Sequence, residues 1–180
     1  MTYEYATYFK LLLLCGYKDE MEQYLDTALA EEDPLSDIIL ELSLTGSDDK
    51  KKLSVLNEFL LQVKDSDIDY DESVFKLVMA FLKRKYTEEA MSMKEITDLM
   101  HQISVYTERY LEEPWNTMYL MGDLFLEAKA GYYIDKEDYM RKFDAFINDN
   151  ICFCDYPPAL TKVPFFKRLK NRIFRNRKKF

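Results

Sequence analysis

The sequence predicts an all-α fold of about eight helices, and three observations carry that expectation. Apolar residues make up 48% of the chain and aromatics 15%, too many for a disordered polymer and enough to bury a core. Gly and Pro number only 4 and 5. Turn-rich β architectures need more of both, whereas long helices joined by short polar loops do not. Apolar residues recur at three- and four-residue intervals, and period-two alternation never lasts for a strand's length; Tyr132 to Ile134 is too short to matter. The expected architecture is therefore about eight antiparallel helices over 1–155, in one compact bundle or a stacked helix-hairpin domain. A basic amphipathic segment over 156–180 follows it.

Each element has its own signal. Tyr5, Tyr8, Phe9, Leu12 and Leu13 mark a first helix from about residue 4 to Cys15, stopped by Gly16. Met21, Tyr24, Leu25, Ala28 and Leu29 stripe a second, starting after Lys18. Pro34 fits the first turn of a third, which carries Leu35, Ile38, Ile39 and Leu42. After a break with Ser47 or Asp48 as N-cap, Leu53, Leu56, Phe59, Leu60 and Val63 define a fourth. Val74, Leu77, Val78, Phe81 and Leu82 define a fifth, and Ile96, Leu99, Met100, Ile103 and Tyr110 a sixth. Pro114 and Trp115 open a seventh that Gly131 closes. Asp135 caps an eighth with Tyr139, Phe143, Phe146 and Ile147 inward, and Pro157–Pro158 then blocks any continuation. Trp115, Gly122 and Phe125 stand where a tetratricopeptide unit would place them. The next signature positions are displaced by two and no second copy occurs, so no repeat is expected.

Charge divides the chain. Of 25 Lys and Arg residues nine follow Asp155, leaving 16 against all 33 Asp and Glu residues. The body is thus near −17 and the terminal segment near +9, against −8 for the whole chain. A body so acidic repels phosphate backbones and anionic lipid and attracts basic surfaces. Three cysteines without framework spacing point to reduced thiols and a cytoplasmic setting. The apolar run before Cys15 is shorter than an export signal's core, and Leu14 stands where a small residue is needed, so no export signal is expected.

No catalytic, cofactor-binding or metal-binding residue is nominated. Asp65, Asp67 and Asp69 occupy positions 1, 3 and 5 of a calcium-loop pattern, but Tyr70 replaces the required Gly and Lys76 the closing Glu. The loop reads instead as a solvated segment whose Asp69 or Asp71 caps the fifth helix. His101, the single histidine, lies at the edge of the sixth helix's apolar stripe without a ligand or nucleophile at suitable spacing. Cys152 and Cys154 read as packed thiols flanked by aromatics. The carboxylate pairs Asp37/Glu41 and Asp123/Glu127 read as solvated faces, since no Glu-x-x-His accompanies them.

The remaining signal is the terminal segment. If helical, Phe165, Phe166, Leu169, Ile173 and Phe180 share one stripe, with Phe174 off it. Lys167, Arg168, Lys170, Arg172, Arg175, Arg177, Lys178 and Lys179 are the candidate contacts to an anion or partner. Residues 164–173 are expected to dock on the body and 175–180 to project. The functional expectation is a non-catalytic, cytoplasmic protein-binding module, of immunity or inhibitor type, whose partner presents a basic surface. The alternatives are a protein that meets membrane or nucleic acid through its basic tail, and an enzyme whose site only the fold assembles.

Overall fold

The computed structural model describes residues 1–65, 69–89 and 91–155. Among these lie eight helices and no strand: α1 (Tyr3–Leu14), α2 (Asp19–Glu31), α3 (Asp37–Leu44), α4 (Asp49–Val63), α5 (Asp71–Thr87), α6 (Met93–Tyr106), α7 (Trp115–Ala130) and α8 (Lys136–Asp149). None is long and apolar enough to cross a membrane.

Local chemistry sets most of the boundaries. Asp48 and Asp135 accept hydrogen bonds from the Lys51 and Asp138 amides at 3.1 and 2.7 Å, capping α4 and α8. Ser92 and Glu95 form a reciprocal capping box on α6, with the Ser92 amide donating to the Glu95 carboxylate at 2.8 Å. Gly131 closes α7 in the left-handed conformation at φ 69°, where a side chain would be strained. Three carboxylates, Asp19, Glu20 and Glu22, sit in the first turn of α2, where they complement the helix dipole.

The helices share one continuous buried cluster. The central helix, α1, packs against α4, α5 and α6, and its Ala6, Phe9 and Leu12 are almost fully enclosed. To one side α2 packs on α3 and α3 on α4; to the other α7 joins α6 and α8, and α8 returns to α5. Trp115, 1% exposed, meets Phe75 of α5 edge-on at 5.3 Å, so the start of α7 is fastened to the middle of the fold.

Some expectations need correction. Pro34 lies outside α3, whose N-cap is Ser36 in an extended conformation. Glu32 explains the offset: its carboxylate accepts from both the Ser36 amide (3.4 Å) and hydroxyl (3.0 Å), so the chain turns before the helix begins. Tyr110 is not part of α6, which ends at Tyr106; Glu108 then turns through φ 61°. Leu29 and Val63, expected inward, are 42% and 38% exposed. Within the α4 stripe only Leu56 is fully buried, with Leu53, Phe59 and Leu60 partly so, and Lys52 is the other fully buried residue of the helix, at 2% exposure. Its stem packs in the interior while its Nζ lies 3.2 Å from Glu22 Oε1, so the charge stays compensated. Lys85 is handled similarly, with Nζ over the Tyr17 and Phe81 rings and 2.7 Å from Glu89.

Candidate functional site

The nominated contacts Lys167, Arg168, Lys170, Arg172, Arg175, Arg177, Lys178 and Lys179 all lie outside the described residues, as does Asp67. Among the described residues no group of His, Cys, Asp and Glu is gathered as a metal site. Asp69 accepts the Asp71 amide at 3.0 Å, so it does serve the start of α5, although Tyr70 occupies the N-cap itself. Asp71 has a different role from a solvated cap: it accepts the Trp115 indole N–H at 3.3 Å and pairs with Arg109.

The thiols and the histidine are occupied structurally. Burial pushes Cys15 up to about 12 and Cys152 up to about 11, far from the thiolate form a nucleophile needs. Cys152 is packed as expected, whereas Cys154 is exposed. His101 stacks on Tyr119 with ring centroids 4.6 Å apart and places Nδ1 3.1 Å from the Tyr119 carbonyl.

A cleft of about 750 Å³ opens between α1, the ends of α4 and α5, and the α6–α7 connection. Its charges oppose one another, with Lys10, Lys64 and Arg109 facing Asp69, Asp71 and Glu108. Arg109 is spent on Asp71 and Glu112, which hold its guanidinium above its ordinary pKa, the Glu112 hydrogen bond foremost. A cleft whose three cations are matched by three carboxylates selects no particular sign of ligand.

The α2–α3–α4 side differs. From Asp19 to Asp49 the chain holds eleven carboxylates and no Lys, Arg or His. Glu20, Glu22, Asp48 and Asp49 are taken by cations from elsewhere. Asp19, Asp26, Glu31, Glu32, Asp33, Asp37 and Glu41 have no ion pair among the described residues. On α3 the inward residues Ile38, Ile39 and Leu42 leave Asp37, Leu40, Glu41 and Leu44 on the opposite side, within an arc of about 100° at 3.6 residues per turn. Leu40 and Leu44 are 48% and 79% exposed. Acidic and apolar side chains therefore alternate along one open face.

Beside that face, α3 and α4 enclose a groove of about 320 Å³, at the small end of the range for ligand sites. Ile38, Val55 and Phe59 form its floor and Asp37, Glu41 and Glu58 its charged edge; among the described residues no Lys or Arg lines it. A lysine or arginine side chain fits such a groove in two ways at once, with its aliphatic stem on the floor and its cationic head among the carboxylates.

The Asp37/Glu41 pair was legible as an exposed i,i+4 face. Its functional content was not, because Glu58 and the floor come from α4 and are joined to it only by folding. The cation-free run from Asp19 to Asp49 was a signal in the sequence itself, masked by summing charge over the whole body.

No family model, curated protein or solved structure matches the chain.

Proposed function

We propose that this chain is a non-catalytic protein-binding module that seats a basic, amphipathic segment of a partner on its α3–α4 face. The observation that carries the reading is the groove in which Asp37, Glu41 and Glu58 surround an apolar floor with no Lys or Arg lining it among the described residues. The one-signed run from Asp19 to Asp49 steers a basic surface toward it, and exposed Leu40 and Leu44 supply apolar contact once the partner arrives. Neutralisation of a basic toxin or enzyme, in the manner of an immunity or inhibitor protein, is the biological form this reading takes. A gene for such a partner beside the gene for this chain would support it.

The test is affinity capture with the full chain and, in parallel, with the Asp37→Lys/Glu41→Lys/Glu58→Lys variant. The expected result is a partner with a basic contact surface, retained by the parent and lost by the variant. A partner held equally by both, or one with a neutral or acidic contact surface, contradicts the reading.

A second reading has its own observation, the nine cations after Asp155 without an acidic residue among them. Binding to anionic vesicles or DNA at physiological salt, abolished by deleting 164–180, would support contact through that segment. Absence of both interactions in the full chain removes it.

A further inference from the structure

A second groove, of about 590 Å³, lies on the other side of the molecule, between the first turns of α6 and α8 and the last turns of α7. Met93, Phe125, Ala128, Tyr139 and Met140 make its wall almost wholly apolar, and among the described residues its charged rim consists of Lys94, Lys129 and Lys136 with no carboxylate. In a body near −17 this is a local reversal of sign. Lys94 pairs with Asp98, whereas Lys129 and Lys136 are exposed and take no ion pair among the described residues. In the stretch of chain that runs from the last turns of α7 toward α8, Leu126, Tyr132 and Tyr133 stand 58%, 68% and 83% exposed.

We infer that this groove receives an acidic amphipathic helix of a partner protein, with apolar side chains between Met93 and Met140 and carboxylates on the lysine rim. The rim decides the sign of the occupant, because Lys129 and Lys136, on meeting a carboxylate, each gain an ion pair that they do not make among the described residues of the free protein. The wall decides its class. Exposed tyrosines and flexible methionines are the composition of protein-binding surfaces, and thioether side chains repack around another helix at little cost. The chain's own terminal segment, with nine cations, is excluded on charge, and the basic partner of the α3–α4 face is excluded for the same reason. The two faces are thus independent, and either fails without the other.

The test uses the full chain labelled at its methionine methyls, titrated at about 0.15 M ionic strength with a synthetic leucine–glutamate amphipathic helix. Its leucine–lysine counterpart serves as control. The expected result is saturable movement of the Met93 and Met140 signals by the acidic peptide, with fully buried Met118 and Met121 unmoved. Lys129→Glu/Lys136→Glu should weaken that binding roughly tenfold, the effect of reversing two exposed charges. Both positions are exposed, and Lys129→Gln/Lys136→Gln gives a milder pair should the reversal disturb folding. Unchanged affinity in these variants, or movement without Met93 and Met140, overturns the inference; so does binding of the basic peptide at the same methyls. Two other occupants would also overturn it. A second copy would shift Met93 and Met140 with protein concentration alone, in the absence of peptide. An acyl anion would be revealed if decanoate saturated these methyls and displaced the peptide.

Discussion

The α3–α4 groove and the α6–α7–α8 groove both hold apolar side chains, the second far more of them, and their charged edges are opposite. One presents Asp37, Glu41 and Glu58, the other Lys94, Lys129 and Lys136. Apolar contact alone does not tell one partner from another, because a leucine or phenylalanine fits either floor. The charged edge makes the distinction by leaving the wrong partner with like charges in contact. The acidic groove belongs to a surface that is acidic over a long run, which favours fast, steered encounter. The lysine groove is a local exception within an acidic body, so its attraction acts only at short range. Under the two proposals above, the first would find a partner by steering and the second would discriminate among partners already close.

That comparison requires both grooves to stand on one core, and the largest predicted effect tests this. Trp115→Ala removes the indole that meets Phe75 and donates to Asp71. It should cost about 3–5 kcal/mol and, in a denaturant melt followed by reporters on α3 and α8, lower both transitions together. Loss of only one transition would mean that the two faces are carried by separately stable units.

Lys52 gives the next effect, confined to the acidic side. Lys52→Ala deletes three buried methylenes, worth roughly 2 kcal/mol at about 0.8 each. Lys52→Met retains the stem and should stay within about 1 kcal/mol of the parent, because a packed apolar side chain replaces a buried pair at little net cost. If the methionine variant melts like the alanine variant, the charge on Glu22 and not the packing governs this position.

The lysine groove has a corresponding local support in the Ser92 cap at its α6 edge. Ser92→Ala should cost about 1 kcal/mol, typical of losing an N-cap. The same substitution carries a pH signature. The Ser92 hydroxyl, followed by its backbone amide, holds the Glu95 carboxyl below the ordinary range. A depressed carboxyl contributes above its unfolded-state pKa, and the contribution is lost as pH falls through the folded value. Replacing Ser92 should therefore return Glu95 toward its ordinary titration by NMR and flatten the acid side of the stability profile.

The smallest effect on stability accompanies the largest expected effect on recognition. Asp37→Lys/Glu41→Lys/Glu58→Lys changes exposed side chains away from the core and should shift stability by no more than about 0.5 kcal/mol while abolishing capture of the basic partner. A large destabilisation would show that these carboxylates serve the fold.

The eight helices were legible in sequence because apolar periodicity and capping residues are local signals; Asp48, Pro114, Gly131 and Asp135 each fell where the corresponding helix begins or ends. The misplacements arise where a contact outside the pattern decides. Glu32 holds Ser36 and leaves Pro34 outside α3, and Lys52 takes an inward place because Glu22 of α2 meets its ammonium. The grooves were illegible for a stronger version of the same reason: Glu58 joins Asp37 and Glu41, and Lys94 joins Lys129 and Lys136, only when separate helices pack. Net charge indicated that a basic partner suits the body but gave no indication of a lysine-rimmed exception within it.

On the two proposals together, grooves with opposite charged edges select partners of opposite charge. A methyl chemical-shift map of the full chain, recorded with the leucine–lysine helix, tests it most directly. The account predicts that Ile38, Val55 and Val63, which line the α3–α4 groove, move while Met93 and Met140 stay, and that Asp37→Lys/Glu41→Lys/Glu58→Lys abolishes the movement. Shifts at Met93 and Met140, or shifts at Ile38 and Val55 that survive the triple substitution, would contradict it.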